Sequence, residues 1–291
     1  MTHSDFPFPH ETNIPLSRYT TFQIGGPAEI LVKPKSDTEF SEIRDWCRAN
    51  EVPLTILGGG SNVLIPDEGL RGVTVVTRDM SEIEVLEGCR IRAQAGAKLS
   101  KVAEIACAAG MSGLAFASGI PGTVGGAVYM NAGAYGDDIS RVCESVVLLG
   151  DEGVIKSPAE EMGFGYRKSI LVAGKFIALE AIFRLTPGEP AKIREEAAEL
   201  NLRRKNTQPL AERSAGSTFK RPEGFFAGKL IEDSGLKGFT VGGARVSEKH
   251  AGFIINKGNA TAKDVLALIE VIRQKVHENF GVWLEPEVRI L

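Results

Sequence analysis

Apolar residues along the chain follow two spacings, one helical and one strand-like. Helical spacing is clearest after Thr261, where an apolar stripe continues as far as Gly281, and Thr261 and Asp264 resemble a capping pair. We interpret this stripe as core, with no function of its own. The same spacing predicts further helices at about residues 37–50, 99–109, 191–205 and 227–233.

Strand-like runs fill much of the remaining chain. A strand, a glycine turn and a second strand are predicted within residues 19–33, and they form a small β-α-β unit with the helix and strand that follow. Runs between residues 72 and 97 and between 142 and 185 predict an antiparallel sheet with one helix in the middle of the chain. The last residues, 282–291, predict one more strand.

Two glycine-rich stretches interrupt this pattern, the first glycine loop at residues 58–62 and the second at residues 118–136. The second loop has six glycines and almost no charge. An interior glycine costs roughly 0.5–1 kcal/mol relative to alanine, so we expect no ordinary helix or central strand there. One Gly-Gly pair often only makes a tight turn, but two such loops suggest one phosphate-bearing cofactor held from two sides.

Two familiar phosphate-binding motifs do not fit these loops. Gly58 and Gly60 begin the dinucleotide pattern Gly-x-Gly-x-x-Gly, but Val63 replaces the third glycine and apolar residues follow where a helix should begin. A phosphate loop near Gly224 also fails, because Leu230 replaces the serine or threonine that would hold Mg²⁺. Rossmann and P-loop sites are therefore excluded, whereas nucleotide binding is not.

Composition and charge exclude several classes of function. The 291 residues suit two or three domains, and 43% hydrophobic and 24% charged residues are typical of globular proteins. The net charge of −3, without a block of like charge, argues against nucleic-acid binding. No apolar run approaches the ~18 residues of a membrane span, and residues 1–5 lack a signal-peptide pattern, so we expect a cytoplasmic protein without membrane association. The cysteines and histidines match no zinc, redox or disulfide pattern, so we expect no metal site.

Three polar clusters are candidates for chemistry. Tyr166 precedes two adjacent cations, although such a pair alone is more often solvated surface. Residues 214–222 place hydroxyl side chains on a glycine turn before two cations, which is equally typical of a polar loop. Glu285 and Glu287 flank a proline, as in an edge strand with exposed charges, and strand alternation would put both carboxylates on one face.

Seven short motifs, including both glycine loops and all three polar clusters, span nearly the whole chain. They lie at residues 57–64, 118–136, 165–169, 215–220, 227–231, 249–253 and 284–289. Each motif alone is only moderately specific. Together, and in this order, they closely resemble the UDP-N-acetylenolpyruvoylglucosamine reductase family, MurB.

The resemblance implies an α+β fold. Residues 1–70 and 71–187 would be the two subdomains of an FAD-binding domain of the PCMH or vanillyl-alcohol-oxidase type. Residues 188–291 would form a separate α+β substrate-binding domain, whose C-terminal strand returns to the active site. We expect a monomer.

The resemblance also implies an FAD-containing oxidoreductase of peptidoglycan synthesis. NADPH would reduce FAD, and the reduced cofactor would convert UDP-N-acetylglucosamine enolpyruvate to UDP-N-acetylmuramate. The FAD would be bound non-covalently, because neither glycine loop contains histidine or cysteine. Two alternatives are a flavin oxidase of the same fold acting on a sugar alcohol or lactone, and a nucleotide-sugar sensor without turnover. The motifs around Ser217 and Glu287 argue against the oxidase.

Residue roles follow from the same resemblance. Arg167 and Glu287 match the catalytic pair of the family, which would stabilise an enolate-like dianion, and Ser217 matches its proton donor. Tyr166 would bind the substrate. The cofactor-binding residues would be Gly58, Gly59, Gly60, Ser61, Asn62, Gly119, Ile120, Gly122, Thr123, Gly126, Gly133 and Ala134.

One departure from the larger members of the family concerns the substrate's diphosphate. Residues 169–175 run almost directly into the next strand, so the sequence resembles the shorter members that lack an inserted loop with a tyrosine. The diphosphate would then need other partners. Lys220, Arg221 and Lys229 are the candidates, because cations beside a turn can bind phosphate oxygens.

Overall fold

A computed structural model of the protein describes residues 6–291, so the expectation about residues 1–5 lies outside the described residues. The helices are α1 (Asp37–Ala49), α2 (Leu99–Ala108), α3 (Val124–Met130), α4 (Pro190–Thr207), α5 (Ala227–Asp233) and α6 (Ala262–Phe280). The strands are β1 (Glu11–Pro15), β2 (Pro27–Val32), β3 (Leu54–Leu57), β4 (Val63–Leu64), β5 (Leu70–Val76), β6 (Ile83–Leu86), β7 (Arg90–Gln94), β8 (Met111–Ser112), β9 (Gly133–Ala134), β10 (Asp137–Asp138), β11 (Cys143–Gly150), β12 (Gly153–Pro158), β13 (Ile177–Arg184), β14 (Thr186–Pro187), β15 (Arg213–Ser217), β16 (Thr240–Val241), β17 (Ala244–Val246), β18 (Phe253–Asn256) and β19 (Arg289–Ile290).

The first sheet has the strand order β1-β2-β5-β3, and α1 packs against it. Strands β2, β5 and β3 are parallel, whereas β1 is antiparallel to β2. The strand predicted at the start of residues 19–33 is wrong, because a short 3-10 helix, Leu16–Tyr19, and an irregular segment precede β2. In that segment Thr21 donates its N–H to the carbonyl of Gly60 at 3.0 Å, so it supports the first glycine loop instead of a sheet.

The second sheet, β12-β11-β13-β7-β6, is antiparallel throughout, which confirms the predicted sheet in the middle of the chain. Helices α2 and α3 contribute to its hydrophobic core. Strand β5 was expected in this second subdomain, but it is hydrogen-bonded to β2 and β3 of the first sheet. The boundary expected between residues 70 and 71 therefore cuts β5, and the first sheet extends to Val76.

Helix α3 corrects the expectation that the second glycine loop contains no helix. Gly125 and Gly126 both lie within this helix. Its buried residues are Val124, Ala127, Val128 and Met130. A Cβ at Gly125 would lie 2.9 Å from the Cβ of Ala95, so glycine allows the helix to pack directly on the end of β7. This close packing offsets the intrinsic cost of glycine in a helix.

The third part of the fold consists of the sheet β15-β18-β17-β16 with α5 and α6. The predicted core stripe of α6 is buried, and Thr261 and Asp264 form the predicted capping box. Helix α4, expected in the same domain, also contacts the second glycine loop, since Arg204 donates to the carbonyl of Gly119 at 2.9 Å. In the C-terminal segment only β19 is a strand, and it pairs in parallel with β4.

Among residues 6–291, no helix is both long and apolar enough to cross a bilayer. In the same residues, no group of three or more histidine, cysteine or acidic side chains could hold a metal ion. All four cysteines are free thiols.

Candidate functional site

Arg167 and Glu287 form an ion pair at the centre of the site. The Nε of Arg167 donates to Oε1 of Glu287 at 2.6 Å, and only 21% and 12% of the two side chains is exposed. Arg167 lies in a tight turn in which Gly165 and Lys168 exchange backbone hydrogen bonds of 3.0 and 3.2 Å. Its φ of +55° is unusual for a residue with a side chain, and such strain is common at functional sites.

Burial affects the protonation of Glu287. Burial raises the pKa of the Glu287 carboxyl above its ordinary value, and the positive charges of Arg167 and Lys220 oppose this effect without cancelling it. A protonated carboxyl can donate a hydrogen bond, whereas a carboxylate only accepts. Glu287 is therefore suited to change between these two forms.

Backbone hydrogen bonds fix Glu287 between two parts of the fold. Its N–H donates to the carbonyl of Thr218 at 2.8 Å, next to β15. On the other side, the Asn62 amide donates to the Glu287 carbonyl at 3.2 Å, and Arg289 donates its N–H to the Asn62 carbonyl at 2.9 Å. The C-terminal segment thus returns to the first glycine loop.

Ser217 ends β15 beside the same loop. The preceding Gly216 has a φ of +77°, a turn conformation that favours glycine, and a Cβ there would lie 4.0 Å from the carbonyl oxygen of Ser61. The Ser217 side chain is exposed. It lines a cavity of about 310 Å³ together with both Arg167 and Glu287, so the structure brings the three predicted catalytic residues together.

Three of the four predicted substrate-binding residues, Tyr166, Arg221 and Lys229, also line this cavity. The Arg221 N–H donates to the Tyr166 hydroxyl at 3.0 Å, and the Lys229 ammonium lies 2.6 Å from a carboxylate oxygen of Asp233. Lys220 is not in the lining, and its ammonium pairs with Glu285.

Other cavity-lining residues were not assigned from the sequence, notably Phe226, Lys249 and His250. The guanidinium of Arg221 lies 4.0 Å from the centre of the Phe226 ring. For Lys249 and His250, the motif at residues 249–253 was the only signal in the sequence. A second cavity of similar size, about 340 Å³, lies around Pro209 and contains none of the predicted catalytic residues, so convergent polar groups, and not size, identify the site.

The two glycine loops are in contact. The Ser61 hydroxyl donates to the carbonyl of Pro121 at 3.0 Å. A Cβ at Gly59 would lie 2.7 Å from the Cα of Gly122, and a Cβ at Gly58 would lie 2.4 Å from Oγ1 of Thr123. Only glycine allows this approach, which brings the two halves of the expected cofactor site together.

The same region fits an FAD cofactor. The Thr123 hydroxyl oxygen is buried and has no hydrogen-bond partner within residues 6–291, so it is available to a polar group of a ligand. Gly126 is exposed on α3, and, apart from its neighbours and the backbone of that helix, a Cβ there would have no protein atom closer than 3.8 Å. This open backbone suits a planar or phosphate group.

The remaining predicted cofactor residues lie at the edges of this region. A Cβ at Gly119 would lie 2.3 Å from Asn201 of α4, so this glycine packs against protein. Ile120 packs against the core of the second sheet. Gly133 and Ala134 form β9, and the Gly133 carbonyl accepts a hydrogen bond from Arg167 at 3.4 Å.

Comparison with known proteins identifies the family. Residues 28–157 match an FAD binding domain, and residues 208–291 match the UDP-N-acetylenolpyruvoylglucosamine reductase C-terminal domain. The reductase of Caldanaerobacter subterraneus subsp. tengcongensis is 49% identical over 280 residues, 96% of this chain and 92% of the relative. The chain belongs to the UDP-N-acetylenolpyruvoylglucosamine reductase family. The Clostridium novyi reductase is also 49% identical, over 97% of this chain and 92% of that protein.

Comparison with solved structures supports the assignment to this family. The crystal structure of MurB from Thermus caldophilus has a TM-score of 0.83 and 37% identity, over 97% of this chain and 98% of that chain. A solvent-stable cholesterol oxidase has a TM-score of 0.52 at 16% identity, over 64% of this chain and 40% of that chain, which shows a likeness of fold alone. The protein is therefore an oxidoreductase with an FAD-binding domain of the PCMH type and an overall α+β fold.

The chain resembles the shorter members of the family in the structure as well. Only the 3-10 helix Ile170–Ala173 lies between the Arg167 turn and β13. No tyrosine-bearing loop is inserted there.

Proposed function

We propose that the protein catalyses NADPH-dependent, FAD-mediated reduction of UDP-N-acetylglucosamine enolpyruvate to UDP-N-acetylmuramate for peptidoglycan synthesis. The observation that carries this proposal is the convergence of Arg167, Ser217 and Glu287 on one cavity beside the first glycine loop. Membership of the reductase family supports it. Because both substrates are cytoplasmic nucleotides, a cytoplasmic location is part of the proposal.

Two carbon atoms of the substrate must each gain a hydrogen. When bound, FAD would supply a hydride, taken from NADPH, to the vinyl CH₂ of the enolpyruvyl group. The electron pair of the double bond then moves toward the neighbouring α-carbon and carboxylate, which gives an enolate-like dianion. A proton on the α-carbon completes the lactyl ether.

Arg167 and Glu287 stabilise the negative charge of this dianion in our proposal. A guanidinium supplies a cation with fixed donor geometry, and a half-buried cation acts more strongly than one in water. Glu287 adds a hydrogen-bond donor when it is protonated, and its raised pKa favours that form. The 2.6 Å contact between the two side chains holds both in place before the substrate arrives.

Ser217 donates the proton to the α-carbon and regains it from water. An aliphatic hydroxyl is a weak acid, but the enolate-like carbon is a strong base, so the transfer needs mainly correct position. Ser217 ends a strand, follows Gly216 and lines the cavity, which supports its assignment as the proton donor.

Arg221 and Lys229 are proposed to bind the diphosphate, and Tyr166 to bind the substrate nearby. Both cations line the cavity, and Tyr166 holds the backbone of Arg221. Lys220 is a third candidate from the sequence, but it does not line the cavity. We therefore expect Lys220 to contribute less than the other two cations.

An anaerobic titration tests the proposal. NADPH should bleach the flavin absorbance of the purified protein, and the enolpyruvyl sugar should restore it with formation of a product two hydrogens heavier. A flavin oxidase would instead be reduced by a sugar alcohol or lactone and reoxidised by oxygen. A sensor would bind the sugar without any change of flavin oxidation state, and either outcome would contradict the proposal.

A further inference from the structure

His250 is inserted between two glycine backbones at the wall of the cavity. A Cβ at Gly228 or at Gly252 would lie 3.0 Å from Cε1 of the His250 ring, so a side chain at either position would crowd the ring. The edge of the ring also contacts Phe253, with ring centres 5.0 Å apart. The imidazole therefore lies in a defined position between α5 and the turn before β18.

The ring is suited to accept a hydrogen bond. Burial lowers the pKa of His250, and the charge of Lys237 lowers it further. A backbone hydrogen bond and the charge of Glu232 oppose this shift without cancelling it, so the ring is neutral near pH 7. Gly252 donates its backbone N–H to Nδ1 at 3.1 Å. Because Nδ1 is the acceptor, the ring proton is on Nε2.

A short series of backbone contacts joins this hydrogen bond to the proposed catalytic residues. The Gly252 carbonyl accepts the N–H of Thr218 at 2.8 Å, and the Thr218 carbonyl accepts the N–H of Glu287 at 2.8 Å. The Thr218 hydroxyl oxygen also accepts the N–H of Ile254 at 3.1 Å. Thr218 directly follows Ser217, so the position of Gly252 affects both Ser217 and Glu287.

We propose that His250 is a positioning residue, which holds Ser217 and Glu287 in place through the hydrogen bond from Gly252 to its Nδ1. The kinetic part of this inference rests on the proposed function. In this proposal His250 does not contact the reacting atoms. Its role is to fix the turn on which Thr218, and through it the two catalytic candidates, depend.

Two substitutions separate this role from simple packing. In His250→Asn, the side-chain oxygen lies where Nδ1 was and still accepts from Gly252, but the ring volume is lost. In His250→Leu, much of the volume stays, but the Gly252 N–H loses its acceptor. We expect the reaction with the enolpyruvyl sugar to slow at least ~10-fold in His250→Leu and no more than ~3-fold in His250→Asn, because an unsatisfied buried N–H is costly.

The reaction with NADPH and a variant at another histidine serve as controls. The reaction of NADPH with the flavin should stay near wild type in both variants. His277→Leu removes another half-buried ring, stacked on Trp283 outside the cavity, and should leave both reactions unchanged. Equal slowing in the two His250 variants, or a slower His250→Asn, would show that only packing matters and would overturn the inference.

A second measurement does not depend on turnover. Hydrogen–deuterium exchange of the flavin-loaded protein should become faster in peptides covering residues 215–219 and 250–254 in His250→Leu but not in His250→Asn. Similar exchange rates in both variants would overturn the inference. This result would hold whatever substrate the protein has, because the measurement needs no turnover. Absence of turnover in the wild type would contradict the proposed function alone.

Discussion

The Nε of Arg167 lies 2.6 Å from Oε1 of Glu287, although 120 positions separate the two residues in the sequence. Arg167 follows the second glycine loop, whereas Glu287 lies between α6 and β19, the strand that pairs with β4. The proposed active site is therefore complete only when the FAD-binding region and the substrate-binding region are both folded and in contact. This dependence allows several direct tests.

The first prediction concerns the pH dependence of stability. Burial raises the pKa of Glu287 in the folded protein, so the stability due to its protonated form is fully present below its ordinary pKa. That stability is lost as the pH rises through the raised pKa. In Glu287→Gln the side chain does not titrate, so the unfolding free energy of wild type relative to this variant should fall across the same window.

Urea unfolding of both proteins at a series of pH values measures this difference. Glu285→Gln removes an exposed carboxylate two positions earlier and serves as a control for loss of charge. A difference that stays constant or grows with pH would contradict the assignment of a raised pKa to Glu287.

The second prediction uses two adjacent glycines of α3. Gly125→Ala should lower the melting temperature, because its Cβ would meet Ala95 at 2.9 Å. Gly126→Ala has no such contact and should raise the stability of the helix by about 0.5–1 kcal/mol. If Gly126 contacts FAD, as proposed, the same variant should nevertheless bind FAD about 10-fold more weakly.

Thermal unfolding and flavin retention after dialysis measure the two effects separately. Wild-type retention in Gly126→Ala would remove this residue from the cofactor site. A stable Gly125→Ala would show that α3 can move away from Ala95.

The third prediction is that FAD is bound without a covalent bond. Neither glycine loop contains a histidine or cysteine, which are the usual points of attachment. Acid precipitation should therefore release all the yellow colour into the supernatant. Colour retained in the precipitate would refute the prediction.

The fourth prediction concerns the diphosphate. Arg221→Ala and Lys229→Ala should each raise the KM for the UDP-sugar by roughly 10-fold or more, equivalent to about 1.4 kcal/mol of lost charge-assisted hydrogen bonding. Lys220→Ala, which removes a cation outside the cavity lining, is the matched control and should have a smaller effect. Steady-state kinetics decide, and an unchanged KM in the first two variants would require another diphosphate site.

The sequence predicted local elements well where the signal is local. Helix α6 follows from its apolar stripe, its capping pair and Gly281, all of which act within a few turns. Strand β1 could not be predicted in this way, because it is short, mostly exposed and ends at Pro15. Helix α3 was missed for a different reason, since the contact between Gly125 and Ala95 that favours it is tertiary.

The arrangement of the site also depends on tertiary contacts that local sequence signals do not predict. The spacing of residues could not place Arg167 beside Glu287, and only the family motifs suggested that they meet. The sequence also ranked Lys220 with Arg221 and Lys229, because nothing local shows that Lys220 lies outside the cavity lining. His250 belonged to a recognised motif, but its position between Gly228 and Gly252 depends on how α5 packs against the turn before β18.

The last prediction tests the central claim, that Ser217 acts at the substrate carbon within this cavity. Stopped-flow absorbance of the flavin can follow the reaction with NADPH and the reaction with the enolpyruvyl sugar separately in Ser217→Ala. Ser217→Cys keeps a proton donor and should retain more activity than alanine. Ser214→Ala removes another hydroxyl of β15, outside the cavity lining, and is the control.

We expect the reaction of Ser217→Ala with the enolpyruvyl sugar to slow by at least ~10²-fold, the lower range for a positioned general acid, while its reaction with NADPH stays near wild type. The NADPH reaction needs no proton at the substrate carbon, so loss of the hydroxyl alone should not affect it. Comparable slowing of both reactions would show that Ser217 only orders its turn, and would contradict its role as the proton donor.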